Sequence, residues 1–314
     1  MKKFIDMKIG EDVEFYALVE SFQKRYTPNK SAYYGISLSD GDSNIDARVW
    51  DVNLIEKNDV IPGAVFKFNA HINEYAGKSQ FVISMINKVE DGEIDIKAFY
   101  RSAPLKEDEL RNCIKSYIHK INNKVLKNLV VGLISKVSDD YFVYPAAMSM
   151  HHNYFNGLAY HTYSMLELAK SFLEIYKGMN SDLLYAGVLL HDIGKTKELT
   201  GPKTPLYTEE GNLLGHIVIG LQMLAVEAEK QNVTDTEEYK ALSHLLAAHH
   251  GELEFGSPKE PNMIEAYALH FIDLTDSKMA PISAEVLKTK KGTYSAPIPS
   301  LGRKSIYVTN IDEE

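Results

Sequence analysis

The sequence is poor in several features that would each point to a particular class of protein. Cys113 is the only cysteine, which excludes an intrachain disulfide and a zinc site built from several thiolates. A reducing compartment is therefore expected. The first residues have a basic start but no apolar segment of the kind that a secretory signal needs. The apolar runs are far shorter than the roughly 20 residues of a membrane span. We expect a cytoplasmic protein with no membrane contact.

Positive charge is also scarce. The chain has 34 lysines and arginines against 43 aspartates and glutamates, so its formal net charge is −9. This balance argues against a protein that binds duplex DNA through a broad basic surface. It does not exclude nucleic acid, because carboxylates that hold divalent metals are neutralised when the metals bind. With 45% hydrophobic and 25% charged residues, the composition is that of a globular protein.

The first third of the chain alternates between apolar and polar residues, as β-strands do. Five strands are predicted, over residues 13–22, 32–38, 45–50, 65–75 and 79–89. The last two are joined by a hairpin signal that contains Gly77. Five short strands with a longer connection before the fourth are typical of a small OB-type barrel. A small SH3-like barrel would give much the same pattern.

Beyond residue 90 the apolar spacing becomes that of α-helices. One helix is predicted after Pro104, another over 124–136, and a mostly helical region over 157–280 with a loop at 199–213. We accordingly divide the chain into an OB-like barrel (1–90), a helical linker region (91–143), a helical domain (144–282) and a C-terminal tail (283–314). The sequence leaves open whether the tail packs back on the helices.

Histidines and aspartates in the helical half carry the main chemical signal. His191 and Asp192 directly follow the apolar run 186–190, and burying two such side chains is costly unless they bind a metal or a partner. A lone histidine or aspartate on a helix is, by contrast, usually a surface or satisfied core residue. Neutral imidazoles and carboxylates are ligands of divalent metals. The candidate ligands are His161, His191, Asp192, His216, His249, His250 and Asp273.

The segment His191-Asp192-Ile193-Gly194-Lys195 resembles the signature of the HD superfamily of metal-dependent phosphohydrolases. An earlier histidine, here His161, and a later aspartate, here Asp273, complete the site in that superfamily. The resemblance implies a helical domain in which His161, His191, Asp192 and Asp273 surround one divalent ion. The remaining candidates match the extra histidines of members that hold a second ion, with Asp192 bridging. Two cations about 3.5–4 Å apart can activate a water and stabilise the attacking and leaving oxygens of a phosphodiester.

Nearby polar residues receive other roles. Lys195, one helical turn past His191, can reach a phosphate oxygen or orient the nucleophile. Asp276 is expected to be a solvated or supporting carboxylate. The histidines expected to support the ligands or the fold are His151, His152 and His244.

HD domains act on several phosphorylated substrates, so the superfamily alone does not determine the reaction. The whole chain, however, is similar to the YhaM-type 3′→5′ exoribonucleases. The resemblance rests on an N-terminal OB-type domain followed by His151-His152, Asn156-Gly157-Leu158, His161-Thr162, the HD signature, His249-His250-Gly251 and Gly256-Ser257-Pro258. The cyclic-dinucleotide branch of the superfamily is disfavoured, because its Gly-Tyr-Pro after the double histidine is absent.

This resemblance implies a multi-domain α+β protein, with a small N-terminal OB-like β-barrel followed by an all-α HD-domain phosphohydrolase. It implies a metal-dependent 3′→5′ exoribonuclease that releases nucleoside 5′-monophosphates, with Asp192 and Lys195 as catalytic residues. Single-stranded DNA is a further candidate substrate. Two ions are expected. Mn²⁺ is favoured, and Co²⁺, Fe²⁺ and Zn²⁺ also suit imidazole and carboxylate ligands.

Barrels of the OB type bind single strands by stacking bases on aromatic side chains. The predicted nucleic-acid contacts are Tyr33, Tyr34, Arg48, Trp50, Phe68, Tyr75 and Lys78. The alternation also permits about half of the aromatic side chains in this region to lie in the barrel core. Two alternatives stay open: an HD hydrolase of free nucleotides, and a single-strand-binding protein without catalysis. A homo-oligomer is compatible with the apolar helices over 106–136.

Overall fold

The computed structural model describes residues 2–75, 77–90, 92–100, 102–146, 154–202 and 205–311. His151 and His152 therefore lie outside the described residues. The chain divides into two compact units, Met1–Arg101 and Ser102–Glu314. The first unit extends past residue 90, where the sequence suggested a boundary. One reason is that the Tyr100 hydroxyl donates a hydrogen bond to the Gly63 carbonyl at 2.7 Å, which ties this segment to the barrel.

The first unit is a closed five-stranded barrel in the order β1-β2-β3-β5-β4. Its strands are β1 (Asp12–Tyr26), β2 (Ala32–Ser39), β3 (Asn44–Val49), β4 (Val65–Tyr75) and β5 (Lys78–Lys88), with the short helix α1 (Asn53–Lys57) between β3 and β4. Strands β3 and β5 pair in parallel, and the other neighbours are antiparallel. This Greek-key order is that of the OB fold, which confirms the first of the two predicted barrels.

The barrel interior is filled by the apolar side of each strand. Phe15 and Phe68 are fully buried there, with ring centroids 5.7 Å apart. The prediction that Phe68 contacts nucleic acid is therefore corrected. Alternation along β4 assigns Phe68 to one face of the strand, and closure of the barrel turns that face inward, away from any ligand.

The second unit is helical, and its described residues form a hydrophobic core. Its helices are α2 (Glu107–Lys120), α3 (Lys124–Lys136), α4 (Ser138–Tyr141), α5 (Gly157–Ile175), α6 (Ser181–Leu190), α7 (Lys195–Glu198), α8 (Glu209–Lys230), α9 (Glu237–Ala248) and α10 (Ile264–Val286). Leu110 of α2 and Leu129 of α3 are buried in the same core as Leu189 of α6. Helices α2 and α3, which the sequence suggested as a linker, thus pack within this unit.

Helix α8 would pass for a membrane-spanning helix by length and composition, and 44% of its most apolar stretch is buried in the protein. Burial of residues such as Ile219 and Leu224 in the helical core accounts for this apolar composition. The chain after α10 folds back on that helix. The Lys278 ammonium of α10 donates a hydrogen bond to the Ser300 carbonyl at 3.1 Å, and within the tail an isolated bridge pairs Tyr294 with Tyr307.

Candidate active site

Five helices bring the seven predicted ligands to one place. Helix α6 is buried along its length from Leu183, so the chain carries His191 and Asp192 into the interior where the helix ends. The other five side chains come from α5, α8, the end of α9 and α10, and they are His161, His216, His249, His250 and Asp273.

The seven side chains form two groups that share Asp192. In the first group, ligand atoms of His161, His191 and Asp273 lie within 4.8 Å of one another. The second group has the same spacing and consists of His216, His249 and His250. Asp192 lies between the groups: its Oδ2 is 3.3 Å from His191 Nε2, and its Oδ1 is 3.4 Å from His216 Nε2. One carboxylate therefore offers an oxygen to each group, as a bridging ligand would.

Backbone carbonyls hold three of the five imidazoles. The Nδ1 atoms of His191, His249 and His250 each lie 2.8 Å from a carbonyl oxygen. The carbonyls belong to Val188, Leu246 and Phe255, respectively. A carbonyl oxygen only accepts hydrogen bonds, so Nδ1 carries the hydrogen and Nε2 keeps its lone pair. Metal-binding histidines are held in this way, with the free lone pair available to the ion.

Carboxylates hold the other two imidazoles. Nδ1 of His161 lies 2.7 Å from Asp276, and Nδ1 of His216 lies 3.2 Å from Glu198. Asp276 is thus a supporting carboxylate, one of the two roles anticipated from the sequence. The sequence analysis did not predict the role of Glu198. The only signal for it in the sequence is its position, as an acidic residue three positions after Lys195. His244 stands apart from both groups, since its Nε2 accepts a hydrogen bond from the Asn262 backbone at 2.9 Å.

Two buried nitrogens test whether this donor set fits a metal. Among the residues that the structure describes, Nε2 of His216 and Nε2 of His249 are buried without a hydrogen-bond partner. Buried polar atoms are rarely left unpaired, because each costs free energy. Both atoms are near Oδ1 of Asp192, at 3.4 and 3.9 Å. A divalent cation there would pair all three, so the donors fit a metal.

Two carboxylates and one imidazole of the site already have the charge that metal binding requires, whereas His161 would lose a proton on binding. Burial would lower the pKa of His161, but the carboxylates of Asp273 and Asp276 raise it to about 10. Burial alone would raise the pKa of Asp192, but Lys195 and the nearby imidazoles lower this pKa well below its usual value. Burial opposes the same change at Asp273, where His161 lowers the pKa. Both carboxylates are therefore ionised at neutral pH. Burial lowers the pKa of His249 well below the ordinary value, so this imidazole stays neutral and able to coordinate.

Lys195 places a cation against the bridging carboxylate. Its Nζ lies 2.6 Å from Asp192 Oδ2, and its side chain is 12% exposed. Burial would lower the pKa of Lys195, but Asp192 outweighs burial and raises it, so the ammonium stays charged. A cavity of about 210 Å³ opens beside these two residues. It is lined by Asp192, Lys195, His250, Phe255, His270, Asp273, Leu274 and Ser277.

The barrel carries a separate cleft of about 760 Å³. Four of the predicted nucleic-acid contacts line it: Tyr33, Arg48, Tyr75 and Lys78. Arg25 lines it too. The Arg48 guanidinium lies 5.7, 5.9 and 5.3 Å from the ring centres of Tyr33, Trp50 and Tyr75. This arrangement combines a cation with aromatic surfaces, as single-strand-binding sites do.

The two remaining aromatic residues predicted to contact nucleic acid, Trp50 and Tyr34, lie in different surroundings. Trp50 is exposed and its ring lies 4.9 Å from that of Tyr33, at the edge of the cleft. Tyr34 is not among the residues that line the cleft, and its ring packs 5.6 Å from that of Phe22. Adjacent residues of a strand point to opposite faces, so the rings of Tyr33 and Tyr34 lie on opposite sides of β2.

Comparison with known proteins places this geometry in a family. The profile of the family described as HD domain matches residues 158–278. The 3′-5′ exoribonuclease YhaM of Geobacillus sp. (strain WCH70) is 38% identical over 307 residues, which cover 98% of this chain and 94% of the relative. The protein of the same name from Bacillus subtilis (strain 168) is 37% identical over 301 residues, 96% of each chain.

A solved structure is also similar, at a lower level. The mitochondrial single-stranded DNA binding protein Rim1 from S. cerevisiae has 17% identity and a TM-score of 0.22, and the match covers 26% of this chain and 98% of Rim1. That likeness adds nothing to what the strand order of the barrel already establishes. The sequence relatives are decisive, because they match nearly the whole chain at more than a third identity. The chain belongs to the YhaM family.

Proposed function

We propose that this protein is a metal-dependent 3′→5′ exoribonuclease, which hydrolyses the last phosphodiester bond of single-stranded RNA and releases a nucleoside 5′-monophosphate. The observation that carries the proposal is the position of Asp192 between two groups of ligand-type side chains in the HD domain of a YhaM-family protein. Water attacks phosphorus, and the bond from phosphorus to the 3′ oxygen of the preceding nucleotide breaks. That oxygen takes a proton.

The proposed metal centre holds two ions. His161, His191 and Asp273 with Oδ2 of Asp192 would hold one, and the three histidines of the second group with Oδ1 would hold the other. Two divalent cations so placed supply an activated water and positive charge at the attacking and leaving oxygens. Mn²⁺ is the proposed ion, and Co²⁺, Fe²⁺ and Zn²⁺ suit the same donors.

The protein's own groups have further tasks in this reaction. The Lys195 ammonium, charged and mostly buried, offers hydrogen bonds to a phosphate oxygen at the end of the strand. The buried imidazoles and carbonyls that hold the site keep its geometry constant before substrate arrives. In the barrel, Tyr33, Arg48 and Tyr75 are proposed to stack on bases of single-stranded RNA, with Lys78 near the RNA backbone.

Single-stranded DNA stays a candidate substrate, and a cytoplasmic location and a homo-oligomer stay predictions. The sequence left two other functions open, and each predicts a different experimental result. A hydrolase of free nucleotides would cleave a mononucleotide faster than any oligomer. A single-strand-binding protein without catalysis would bind RNA but no divalent metal.

The experiment is a time course on a 5′-labelled single-stranded RNA with Mn²⁺ or with EDTA, using the natural protein and Asp192→Ala. We expect a ladder that shortens from the 3′ end only with metal and the natural protein, because the substitution removes a donor from both groups. Asp235→Ala, which removes an exposed carboxylate from the loop before α9, is the matched control and should cleave normally.

Two results would contradict the proposal. Cleavage by Asp192→Ala at the natural rate would remove this residue from the reaction. RNA that stays intact with Mn²⁺, Co²⁺, Fe²⁺ and Zn²⁺ would reject the exonuclease itself. The fate of a free nucleotide and the content of bound metal would then separate the two remaining functions.

A further inference from the structure

The cavity beside the two ligand groups is lined by both charged and apolar side chains. Asp192, Lys195 and Asp273 form a charged part of its lining, whereas Phe255 and Leu274 add apolar surface. The Phe255 side chain is 57% exposed and that of Leu274 is 40% exposed. Neither belongs to the hydrophobic core of the helical unit. An exposed aromatic ring next to a set of catalytic groups is a surface available to a ligand.

The backbone holds Phe255 in a defined position relative to the site. It ends the 3-10 helix Leu253–Phe255, and its carbonyl accepts the hydrogen bond from His250 Nδ1 at 2.8 Å. Gly256 then adopts the left-handed conformation, with φ of 83°. The Ser257 hydroxyl anchors the following residues at the Ala247 carbonyl, 2.9 Å away. The loop is therefore tied to the end of α9, and little ordering is needed when a ligand contacts the ring.

Two polar residues in the same lining are hydrogen-bond acceptors. The Nδ1 of His270 lies 3.1 Å from the His249 carbonyl, so Nδ1 donates and Nε2 is left as an acceptor. The Ser277 hydroxyl donates to the Leu274 carbonyl at 3.0 Å, which leaves its lone pairs to accept. A ligand that brings hydroxyl donors would therefore find acceptors in this part of the cavity.

We propose that this cavity is the binding site for the 3′-terminal nucleoside of the strand, with Phe255 as the surface on which the terminal base stacks. Leu274 contacts the base, and His270 and Ser277 accept hydrogen bonds from the ribose hydroxyls. Lys195 and the ligand groups then lie at the 5′ phosphate of the same nucleotide. At about 210 Å³ the cavity is smaller than the roughly 300–1,000 Å³ of sites that enclose a drug-sized ligand. It accepts one nucleoside, partly exposed, and not a continuing strand.

This site rests on the proposed exonuclease function, and it adds a consequence of its own. Every base has a flat face that can stack on an aromatic ring, so the contact with Phe255 gives affinity without sequence preference. Removal of the terminal base should therefore slow the first cut, whichever base it was. Removal of a base further along the strand should not affect this contact.

The test measures the first cleavage of three short 5′-labelled RNAs with Mn²⁺: an unmodified strand, one abasic at the 3′-terminal position, and one abasic at the penultimate position. The proteins are the natural chain, Phe255→Ala and Leu253→Ala. Leu253 is 61% exposed in the same 3-10 helix but does not line the cavity, so it is the matched control.

We expect the natural protein to cut the terminally abasic strand between about 5-fold and 150-fold more slowly than the unmodified strand. Phe255→Ala should lose a similar factor on the unmodified strand and nothing further on the terminally abasic one. Leu253→Ala should match the natural protein on all three. The site would be overturned if Phe255→Ala slowed cleavage of the terminally abasic strand as much as it slows cleavage of the unmodified strand. It would also be overturned if only the strand abasic at the penultimate position were cut more slowly. Either result would leave the exonuclease function intact.

A binding measurement keeps the site testable if no RNA is cleaved. In EDTA, saturation-transfer NMR compares adenosine 5′-monophosphate with ribose 5-phosphate. Phe255→Ala should weaken binding of the nucleotide by a similar factor and leave the sugar phosphate unchanged, with Leu253→Ala as control. Equal nucleotide binding by all three proteins would overturn the site. Absence of cleavage alone would count against the proposed function.

Discussion

Glu198 makes two hydrogen bonds to a single residue of the site. Its Oε1 accepts from the His216 backbone N–H at 2.9 Å and lies 3.2 Å from Nδ1 of the same imidazole. Burial alone would raise the pKa of Glu198, but these bonds lower it, so the carboxylate is ionised. Glu198 does not itself belong to either group of candidate ligands. It acts through His216, and we regard it as a positioning residue.

We predict that Glu198→Ala lowers the affinity for Mn²⁺ about 10- to 100-fold, which is the usual effect of losing such a supporting partner. Glu198→Gln should recover part of the affinity, because its amide oxygen can still accept both hydrogen bonds. Titration calorimetry on the folded proteins measures this. Glu229→Ala, at an exposed glutamate of α8, should bind Mn²⁺ normally. Equal affinities for the alanine and glutamine variants would show that Glu198 does not orient His216 in this way.

Helix α8 is interrupted next to the residue that it contributes to the site. Gly215 has φ of 71° and ψ of 159°, a conformation available almost only to glycine, and the regular helix resumes beyond it. The break changes the direction of the chain immediately before His216. The nearest atom to a side chain added at Gly215 would be Glu198 Oε1 at 4.0 Å, so space is available and the backbone conformation is the constraint.

We predict that Gly215→Ala destabilises the helical unit by about 1–3 kcal/mol and also weakens Mn²⁺ binding, since the relaxed backbone would turn His216 away. Urea unfolding followed by circular dichroism gives the first quantity, and Mn²⁺ titration gives the second. Gly178→Ala is the control, because Gly178 has φ of 95° and open space but lies in the loop after α5. It should lose stability and keep its affinity. Natural metal affinity in Gly215→Ala would contradict the role of the kink.

The ends of helices and strands agree with the sequence-based predictions where the burial pattern is regular. They differ where backbone hydrogen bonding to a neighbouring strand is all that extends a strand. Helix α3 spans Lys124–Lys136, as predicted. Strand β1 runs to Tyr26, beyond the predicted end at residue 22, because residues 23–26 pair with β2 although they are polar and mostly exposed. Backbone pairing does not require alternation of side chains, so the sequence carried no signal for this extension.

At the scale of the whole molecule, two units with separate cores carry two separate sites. Within the part of the chain that the structure describes, the lining of the first unit's cleft holds no cluster of ligand-type side chains, and the helical unit holds the two groups around Asp192. Strand binding in the barrel and metal binding in the helices should therefore respond to different substitutions. The single tryptophan, Trp50, lies beside Tyr33 at the edge of the cleft, so its fluorescence is expected to respond to strand binding.

We predict that Arg48→Ala weakens binding of single-stranded RNA about 3- to 30-fold, because it removes a cation that lies over three aromatic rings. Affinity for Mn²⁺ should stay unchanged. Quenching of Trp50 fluorescence in EDTA measures RNA binding without cleavage. Lys57→Ala removes the same charge from the exposed side of α1 and should bind RNA normally. An equal loss in both variants would mean that net charge, and not the cleft, governs binding.

The sequence by itself determined the class of fold and the chemical identity of the site. Alternation predicts strands and helical spacing predicts helices. The order of histidines and aspartates along the chain resembles the HD signature, and imidazoles and carboxylates are ligands of divalent metals. These properties are local or depend on residue type alone. The seven candidate ligands could accordingly be named before any contact between them was known, and the structure brings all seven together.

Only the tertiary structure decided which face of each element meets a ligand. Alternation separates Tyr33 from Tyr34, and closure of the barrel sends Phe68 into the core while Tyr33 lines the cleft. The bridging position of Asp192, the support of His216 by Glu198 and the exposure of Phe255 beside the site all depend on packing between helices far apart in the chain. A contact between distant residues is set by the geometry of the assembled core, and no local pattern of residues encodes it.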